Sequence, residues 1–360
     1  MKLNYKLGEL IRNIYVKNKD LHCNNLKGLS MTKEFRASTS NIVGTDLSKY
    51  KIVAYKQFAC DFMSAIRVHK MPIAFNSEME EILVSPAYAV FEVIDENIIL
   101  PEYLMMWFRR SEFDRYADFR SDAAIRGGYG WNELCETEIK LPSLEEQRKK
   151  VQAYKTITDR IELKKKINDN LQQQLCLIYE NMMCKAQYGN IEGTFTVASK
   201  LTDVVTGKED ANFASPNGKY KFFTCSNDTL NCDEYVFDSS AILIAGNGDF
   251  NVKHYSGKFN AYQRTYVLIP DHQYYGLLYF ASLYQINSFK SASSGSIVKF
   301  ITKGDIENIP VFIPNDEHIL NELNRLLALQ EKNQAENEEL SSLRDWLLPM
   351  LMNGQASISD

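Results

Sequence analysis

The sequence predicts a duplicated α/β (α+β) chain: two globular domains joined by two long antiparallel coiled-coil helices, pseudo-twofold symmetric. Three observations carry this expectation. First, the 360-residue chain matches itself at an offset of 172 positions, the separation of Pro142 and Pro314. Leu104-Met105-Met106-Trp107-Phe108 falls on Gly276-Leu277-Leu278-Tyr279-Phe280, Glu133-Leu134 on Asp305-Ile306, and Leu141-Pro142 on Ile313-Pro314. The match continues past the prolines, pairing Glu145 with Glu317, Val151 with Leu323, Leu171 with Leu343 and Leu175 with Leu347. Solenoid units repeat every 20–50 residues or so, so this period describes a duplicated half-molecule. Second, Ser143 to Met183 holds no proline or glycine and keeps apolar residues at spacings near three and four, which is the period of an amphipathic helix. Third, residues 141–190 hold 9 basic and 6 acidic side chains, whereas 315–360 hold 3 and 9. Opposite charge is expected of two helices that pair.

Taken in order, residues 1–142 form the first domain, with strand-like runs at 51–55 and 89–93 and a helix from Pro101 to Ala117. Residues 143–186 form the first long helix, opened by a Ser143-Leu144-Glu145-Glu146 capping box. About forty residues at 1.5 Å each make a rod of roughly 60 Å, which overhangs any domain of this size. Residues 187–314 form the second domain, with strands at 241–244 and 265–269, a helix from Tyr274 to Phe289, and long loops at 211–232 and 245–263 rich in Ser, Asn, Gly and Lys. Loops of that length in a compact domain tend to be functional. Residues 315–354 form the second long helix, capped by Asn315 or Asp316, ended or kinked near Leu348 by Pro349, and stopped by Gly354. Residues 355–360 are a tail. The pairing positions are Val151, Tyr154, Ile161, Leu171, Leu175 and Ile178 on the first helix and Ile319, Leu323, Leu326, Leu340, Leu343 and Leu347 on the second. Both helices are polar in the middle, so antiparallel pairing sets Lys164-Lys165-Lys166 and its asparagines against the stretch from Gln330 to Glu339.

Composition narrows the function class. At 45% hydrophobic and 12% aromatic residues the chain is neither disordered nor membrane-spanning, since no apolar run approaches the ~18 residues a span needs. The first ten residues hold no apolar leader core, which predicts a cytoplasmic protein. Seven cysteines without a CxxC pair read as reduced packing residues, with no metal site expected. A net charge of −5 argues against indiscriminate coating of nucleic acid but leaves room for local basic surfaces. No common catalytic signature is present. Gly246-Asn247-Gly248 is a lone turn, Val205-Thr206-Gly207-Lys208 lacks the upstream glycine of a P-loop, and HExxH, GxSxG and an Asn-Pro-Pro-Tyr-like methyltransferase segment are missing. These absences argue for a binding protein and against a stand-alone methyltransferase or nuclease. A protein-assembly scaffold with duplicated binding domains is the alternative reading, supported by the acidic total and the acidic C-terminal helix.

Several segments resemble the specificity subunit of type I restriction-modification systems, and the likeness covers essentially the whole chain. They are Leu26-Lys27-Gly28-Leu29, Asn41 to Tyr50, Val84 to Phe91, Pro101-Glu102-Tyr103-Leu104, Trp131-Asn132-Glu133-Leu134, Leu201 to Lys208, Ser294-Gly295-Ser296 and Ile309 to Pro314. The most specific is the junction Leu141-Pro142-Ser143-Leu144-Glu145-Glu146-Gln147 into the first helix. Two departures stand out: Asn315-Asp316-Glu317-His318 lacks the Glu-Gln pair, and Arg126-Gly127-Gly128-Tyr129 replaces a serine-glycine turn. The resemblance implies two target recognition domains, each reading half of a split site on double-stranded DNA, held apart by the helix pair. It implies no catalysis and no cofactor in this chain. S-adenosylmethionine, ATP and Mg²⁺ would belong to partner subunits, two methyltransferase subunits and a helicase-nuclease restriction subunit. Base reading needs long donors reaching the major groove from loops. The candidates are Lys33, Arg36, Arg67, Arg120 and Arg126 with Tyr129 stacking or packing, then Lys219, Asn227, Asn247, Asn251, Lys253, Tyr262, Gln263 and Arg264.

Overall fold

The computed structural model describes residues 4–38, 44–63, 69–123, 129–248, 250–292 and 300–356. The chain divides into two compact units, residues 1–160 with 340–360, and residues 161–339.

The first unit is built on an antiparallel sheet of four strands in the order β2 (Ile11–Ile14), β9 (Ala89–Val93), β6 (Gln57–Cys60) and β7 (Ile73–Phe75). Side chains alternate across a strand, and here both faces are covered. Phe58, Cys60, Ile73 and Phe91 point to one core, while Ala59, Ala74 and Val90 point to another. The first core is closed by α1 (Pro101–Phe108) and α2 (Ser111–Ala123), with Phe58 and Phe91 stacked at 4.9 Å and Phe108 edge-on to both. The second is closed by a hairpin, β3 (Lys27–Leu29) with β4 (Phe35–Ala37), and by the antiparallel pair β5 (Lys51–Val53) and β8 (Ile82–Val84). Where the sequence predicts one helix from Pro101 to Ala117 there are two, separated at Arg109-Arg110. The break lets the Phe113 ring turn back onto Trp107 and Phe108.

A short α3 (Trp131–Glu136) and β10 (Glu138–Lys140), which pairs with β1 (Asn4–Lys6), lead through Pro142 into α4 (Leu144–Gln187). The capping box forms as predicted: Glu146 N–H donates to Ser143 Oγ and Ser143 N–H to Glu146 Oε2. Gln147 is fully buried. Its Oε1 accepts from Leu100 N–H at 3.0 Å, and its Nε2 donates to the Ile98 carbonyl at 3.0 Å. One amide thus satisfies orphan backbone groups at the start of α1 and ties the long helix to the domain. Tyr154, two turns further along, packs with Met106 against Leu348 and Leu351 from the end of α7 (Glu317–Met352). Asp316 caps that helix through His318 N–H. It runs through Pro349 to Met352, and Gly354 takes φ +71° just beyond its end.

The second unit carries a six-stranded sheet in the order β12 (Val204–Thr206), β17 (Thr265–Leu268), β15 (Phe237–Ala245), β16 (Val252–Ala261), β13 (Tyr220–Phe223) and β14 (Leu230–Cys232). All pairings are antiparallel except β13 with β16. Alternation again divides the strands: Ile242 and Ile244 face the main core, Ala241 and Leu243 the other side. That main core takes in α5 (Tyr275–Ala292), α6 (Lys303–Glu307), and the strand pair β11 (Gly193–Val197) and β18 (Pro310–Pro314). It also takes Leu171, Leu175, Tyr179 and Met182 of α4 together with Leu320, Leu323, Leu326 and Leu327 of α7. Asn324 does for α5 what Gln147 does for α1. Its Oδ1 accepts from Gly276 N–H at 2.8 Å and its Nδ2 donates to the Gln273 carbonyl at 3.0 Å. A Cβ on Gly276 would sit 3.0 Å from that oxygen, so glycine permits the approach.

Within this unit α4 and α7 run antiparallel, and their polar middles meet. Lys164 Nζ lies 2.6 Å from Glu336 and 3.0 Å from Asn333 Oδ1. One turn on, Asn168 donates to the Gln330 carbonyl and accepts from Asn333 Nδ2, and Gln330 donates in return to Asn168 and Gln172. Asn333 and Asn337 are almost fully buried. A buried amide layer lowers stability yet fixes helix register, because any slip leaves its polar groups unpaired.

Of the expected pairing positions, Tyr154, Ile161, Leu171, Leu175, Leu323 and Leu326 are buried, and Val151, Ile178, Ile319, Leu340 and Leu347 are partly so. Leu343 is a correction, since 45% of its surface is exposed. The helix turns about 100° per residue, which carries Leu343 onto the flank of the stripe formed by Leu347, Leu348 and Leu351.

Candidate nucleic-acid interface

In the second unit, four loops converge at one end of the sheet. The Tyr262–Arg264 turn is their hub: Tyr262 N–H donates to the Phe223 carbonyl, Gln263 N–H to the Glu209 carbonyl, and the Arg264 carbonyl accepts from Gly246 N–H and Cys225 Sγ. Asn251 Nδ2 donates to the Cys225 carbonyl at 2.8 Å, closing the ring. Seven of the eight second-domain candidates therefore fall in one cluster: Asn227, Asn247, Asn251, Lys253, Tyr262, Gln263 and Arg264. Their states differ. Asn227, Gln263 and Arg264 are exposed, whereas Asn251 and Lys253 are half-buried braces. Lys253 Nζ donates to the Ser226 carbonyl beside the Phe223 ring, and burial lowers its pKa. Lys219 lies apart, before β13, at the end of that strand opposite the hub. Lys208, outside the set the sequence points to, joins the cluster: it is exposed next to Glu209, whose carbonyl meets Gln263. A glycine explains the proximity, for a Cβ on Gly207 would sit 1.9 Å from the Ala261 carbonyl oxygen.

Behind the cluster, a cavity of about 600 Å³ is lined by Lys221, Phe223, Asn227 and Lys253 from the domain side and by Gln172, Gln330 and Glu338 from the helices. On its wall, Glu331 Oε1 lies 2.8 Å from His254 Nδ1 and accepts from Tyr275 Oη at 2.8 Å. Burial raises the Glu331 pKa, but the His254 hydrogen bond and charge, with the tyrosine, outweigh it and hold the carboxyl below its ordinary value of 4.5. A carboxylate depressed in the folded state stabilises above its unfolded pKa, and that share is lost as pH falls through the folded value. Below pH 4.5 the wild-type chain is therefore expected to lose protection of the β16 amides more steeply than Glu331→Gln. Parallel acid profiles in hydrogen exchange would contradict this.

In the first unit the candidates separate. Arg67 and Arg126 lie outside the described residues, as does the Ser294-Gly295-Ser296 segment. Arg36 is exposed on the β3–β4 hairpin, its guanidinium donating to the Leu29 and Ala37 carbonyls. Arg120 is exposed on α2. Tyr129 packs, buried between Phe62, Phe113 and Tyr116, with Oη on Thr137. Lys33 is a correction: it is 4% exposed, its Nζ bonded to the Phe108 carbonyl and 2.7 Å from Asp114. Desolvation lowers its pKa. A lysine held inside by a carboxylate is a structural tie and reaches no base.

The model of the type I restriction modification DNA specificity domain matches residues 196–342, which take in the six-stranded sheet, all four hub loops and most of α7. Over these residues the chain is similar to that family. A curated relative, the type I restriction enzyme EcoDI specificity subunit of Escherichia coli, is 39% identical over 163 residues, which are 43% of this chain and 37% of that subunit. The match thus spans little more than a third of that relative's length. The crystal structure of the type-I restriction-modification system S subunit from M. genitalium superposes with a TM-score of 0.60 at 12% identity, over 99% of this chain and 96% of that one. At that identity the fold is what the two share: mixed helix and strand, with two domains and two long helices. Among the described residues, no three His, Cys, Asp or Glu side chains are grouped to hold a metal, and no helix is long and apolar enough to cross a membrane.

Proposed function

We propose that the chain is the sequence-specific DNA-binding subunit of a type I restriction-modification complex. It reads a bipartite site on double-stranded DNA and positions two methyltransferase subunits and a restriction subunit there. The observation that carries the reading is the coincidence of the specificity-domain match with the hub of converging loops, where Lys208, Asn227, Gln263 and Arg264 are exposed together. Polar loop side chains gathered on a rigid sheet edge suit base reading. The domains would be residues 1–142 and 187–314, and the helices 143–186 and 315–354 would set their spacing. The chain itself would bind no cofactor and catalyse nothing. S-adenosylmethionine, ATP and Mg²⁺ would serve the partner subunits, in the cytoplasm.

The deciding experiment replaces residues 191–312 with the equivalent domain of a relative and maps methylated sites in the assembled complex. One half-site is expected to change completely and the other to stay. Alteration of both halves, or of neither, would refute the reading.

A further inference from the structure

Helix α2 of the first unit, Ser111–Ala123, carries three different faces. Phe113 and Ala117 are 1% exposed and pack into the core. Asp114 and Asp118, one turn apart, are tied to the body of the domain: Asp114 Oδ1 accepts from Lys33 Nζ and from Met71 N–H at 3.0 Å, and Asp118 Oδ1 lies 2.8 Å from His69 Nδ1. The remaining face holds Arg115, Tyr116, Phe119 and Arg120, all exposed. Phe119 leaves 69% of its surface to solvent. Neither Arg115 nor Arg120 has a carboxylate or hydrogen-bond partner among the described residues. The half-buried Glu112 lies beside Arg110, which offsets it.

By sequence α2 is an acidic helix. In the fold, Asp114 is turned inward onto Lys33 and Asp118 is turned aside to the His69 ring, so what α2 offers outward is a phenyl ring between two guanidinium groups without a carboxylate partner among the described residues. An isolated exposed phenylalanine gains nothing in water, and two free arginines beside it call for an anionic partner with an apolar face. We propose that this stripe is a DNA-contact surface of the first recognition domain. Arg115 and Arg120 neutralise backbone phosphates, while Phe119, with Tyr116 behind it, packs against the sugar–base edge between them. Lys33 and His69 act as positioning residues, because they hold α2 by its acids and leave the stripe turned out. The inference rests on the DNA-recognition reading above; to Arg120, already a candidate by sequence, it adds Arg115, Tyr116 and Phe119, which the repeat and the loops do not point to.

The test measures the affinity of the full-length chain for a 40-base-pair duplex as a function of salt, with Arg264→Gln of the second unit as the independent probe. Loss of two phosphate contacts lowers the slope of log affinity against log salt by about two, so Arg115→Gln/Arg120→Gln is expected to flatten it by that amount. Phe119→Ala is expected to weaken binding about fivefold or more with the slope unchanged. Unchanged thermal midpoints keep the variants interpretable, since all these side chains are on the surface. If Arg264→Gln weakens binding but the stripe variants bind and titrate like wild type, the stripe inference is wrong and the DNA reading stands. If the wild-type chain binds no duplex even at low salt, the reading fails and takes the stripe with it.

Discussion

Deleting residues 164–170 and 332–338 together is expected to shorten the preferred spacer between the half-sites by about three base pairs, with both half-sites unchanged. The two segments are natural partners. Lys164 faces Glu336, and Asn168 faces Gln330 and Asn333, so removing both takes out one polar layer and leaves few groups unpaired. Seven residues are close to two full turns, which keeps each apolar stripe facing its neighbour. At 1.5 Å per residue the helices shorten by roughly 10 Å. One base pair occupies 3.4 Å along the duplex. Under the proposed reading the paired helices are the ruler, and the recognition loops are untouched. Methylation mapping with substrates of graded spacer length decides it. An unchanged spacer, or an altered half-site, would show that the helices do not set the distance. Deleting only one segment should do far more damage, because it leaves the two helices unequal in length and throws their apolar stripes and polar layer out of register.

The second large effect concerns stability. Leu348 is 7% and Leu351 1% exposed, and both cover Met106 and Tyr154. Each Leu→Ala change at such a site costs about 2–5 kcal/mol, and a domain's whole stability is of order 5–15 kcal/mol. The double variant Leu348→Ala/Leu351→Ala is therefore expected to unfold the first unit selectively. Hydrogen exchange should accelerate in β6 and β9 while β15 and β16 keep their protection. If all four strands keep wild-type protection, the C-terminal turns do not complete that core.

Much of this architecture was legible because it is periodic. The offset between Pro142 and Pro314 announced the duplication, and the proline-free run announced α4. The polar middles announced the layer in which Lys164 meets Glu336. What escaped was information held in three dimensions. Leu171 and Leu343 are equivalent by the repeat, yet the first is buried and the second exposed, since the flank of the stripe is occupied in one place and open in the other. Lys33 has the composition of a DNA contact, but its direction was set by Asp114, more than eighty residues away. Arg115 and Phe119 were hidden for the converse reason. They lie in an acidic-looking segment, and only the ties of Asp114 and Asp118 reveal what the helix turns outward. In the second domain, loop composition sufficed to find most of the cluster, because loops returning to one end of a sheet are brought together by the strands between them. It missed Lys208, which enters through the close approach at Gly207.

The first unit's dependence on residues 340–360 has a consequence in time. Tyr154 and Met106 are synthesised before residues 161–339, and the leucines that cover them come after. At about 5–20 residues per second, that interval is roughly 10–40 seconds. For all of it the early domain shows water an apolar face that its own sequence has not yet supplied a cover for. The second unit draws on contiguous chain and can close before the first is complete. Birth order and folding order therefore run in opposite directions. A premature stop shortly before Leu348 would strip the core at the beginning of the chain, and leave the later domain whole.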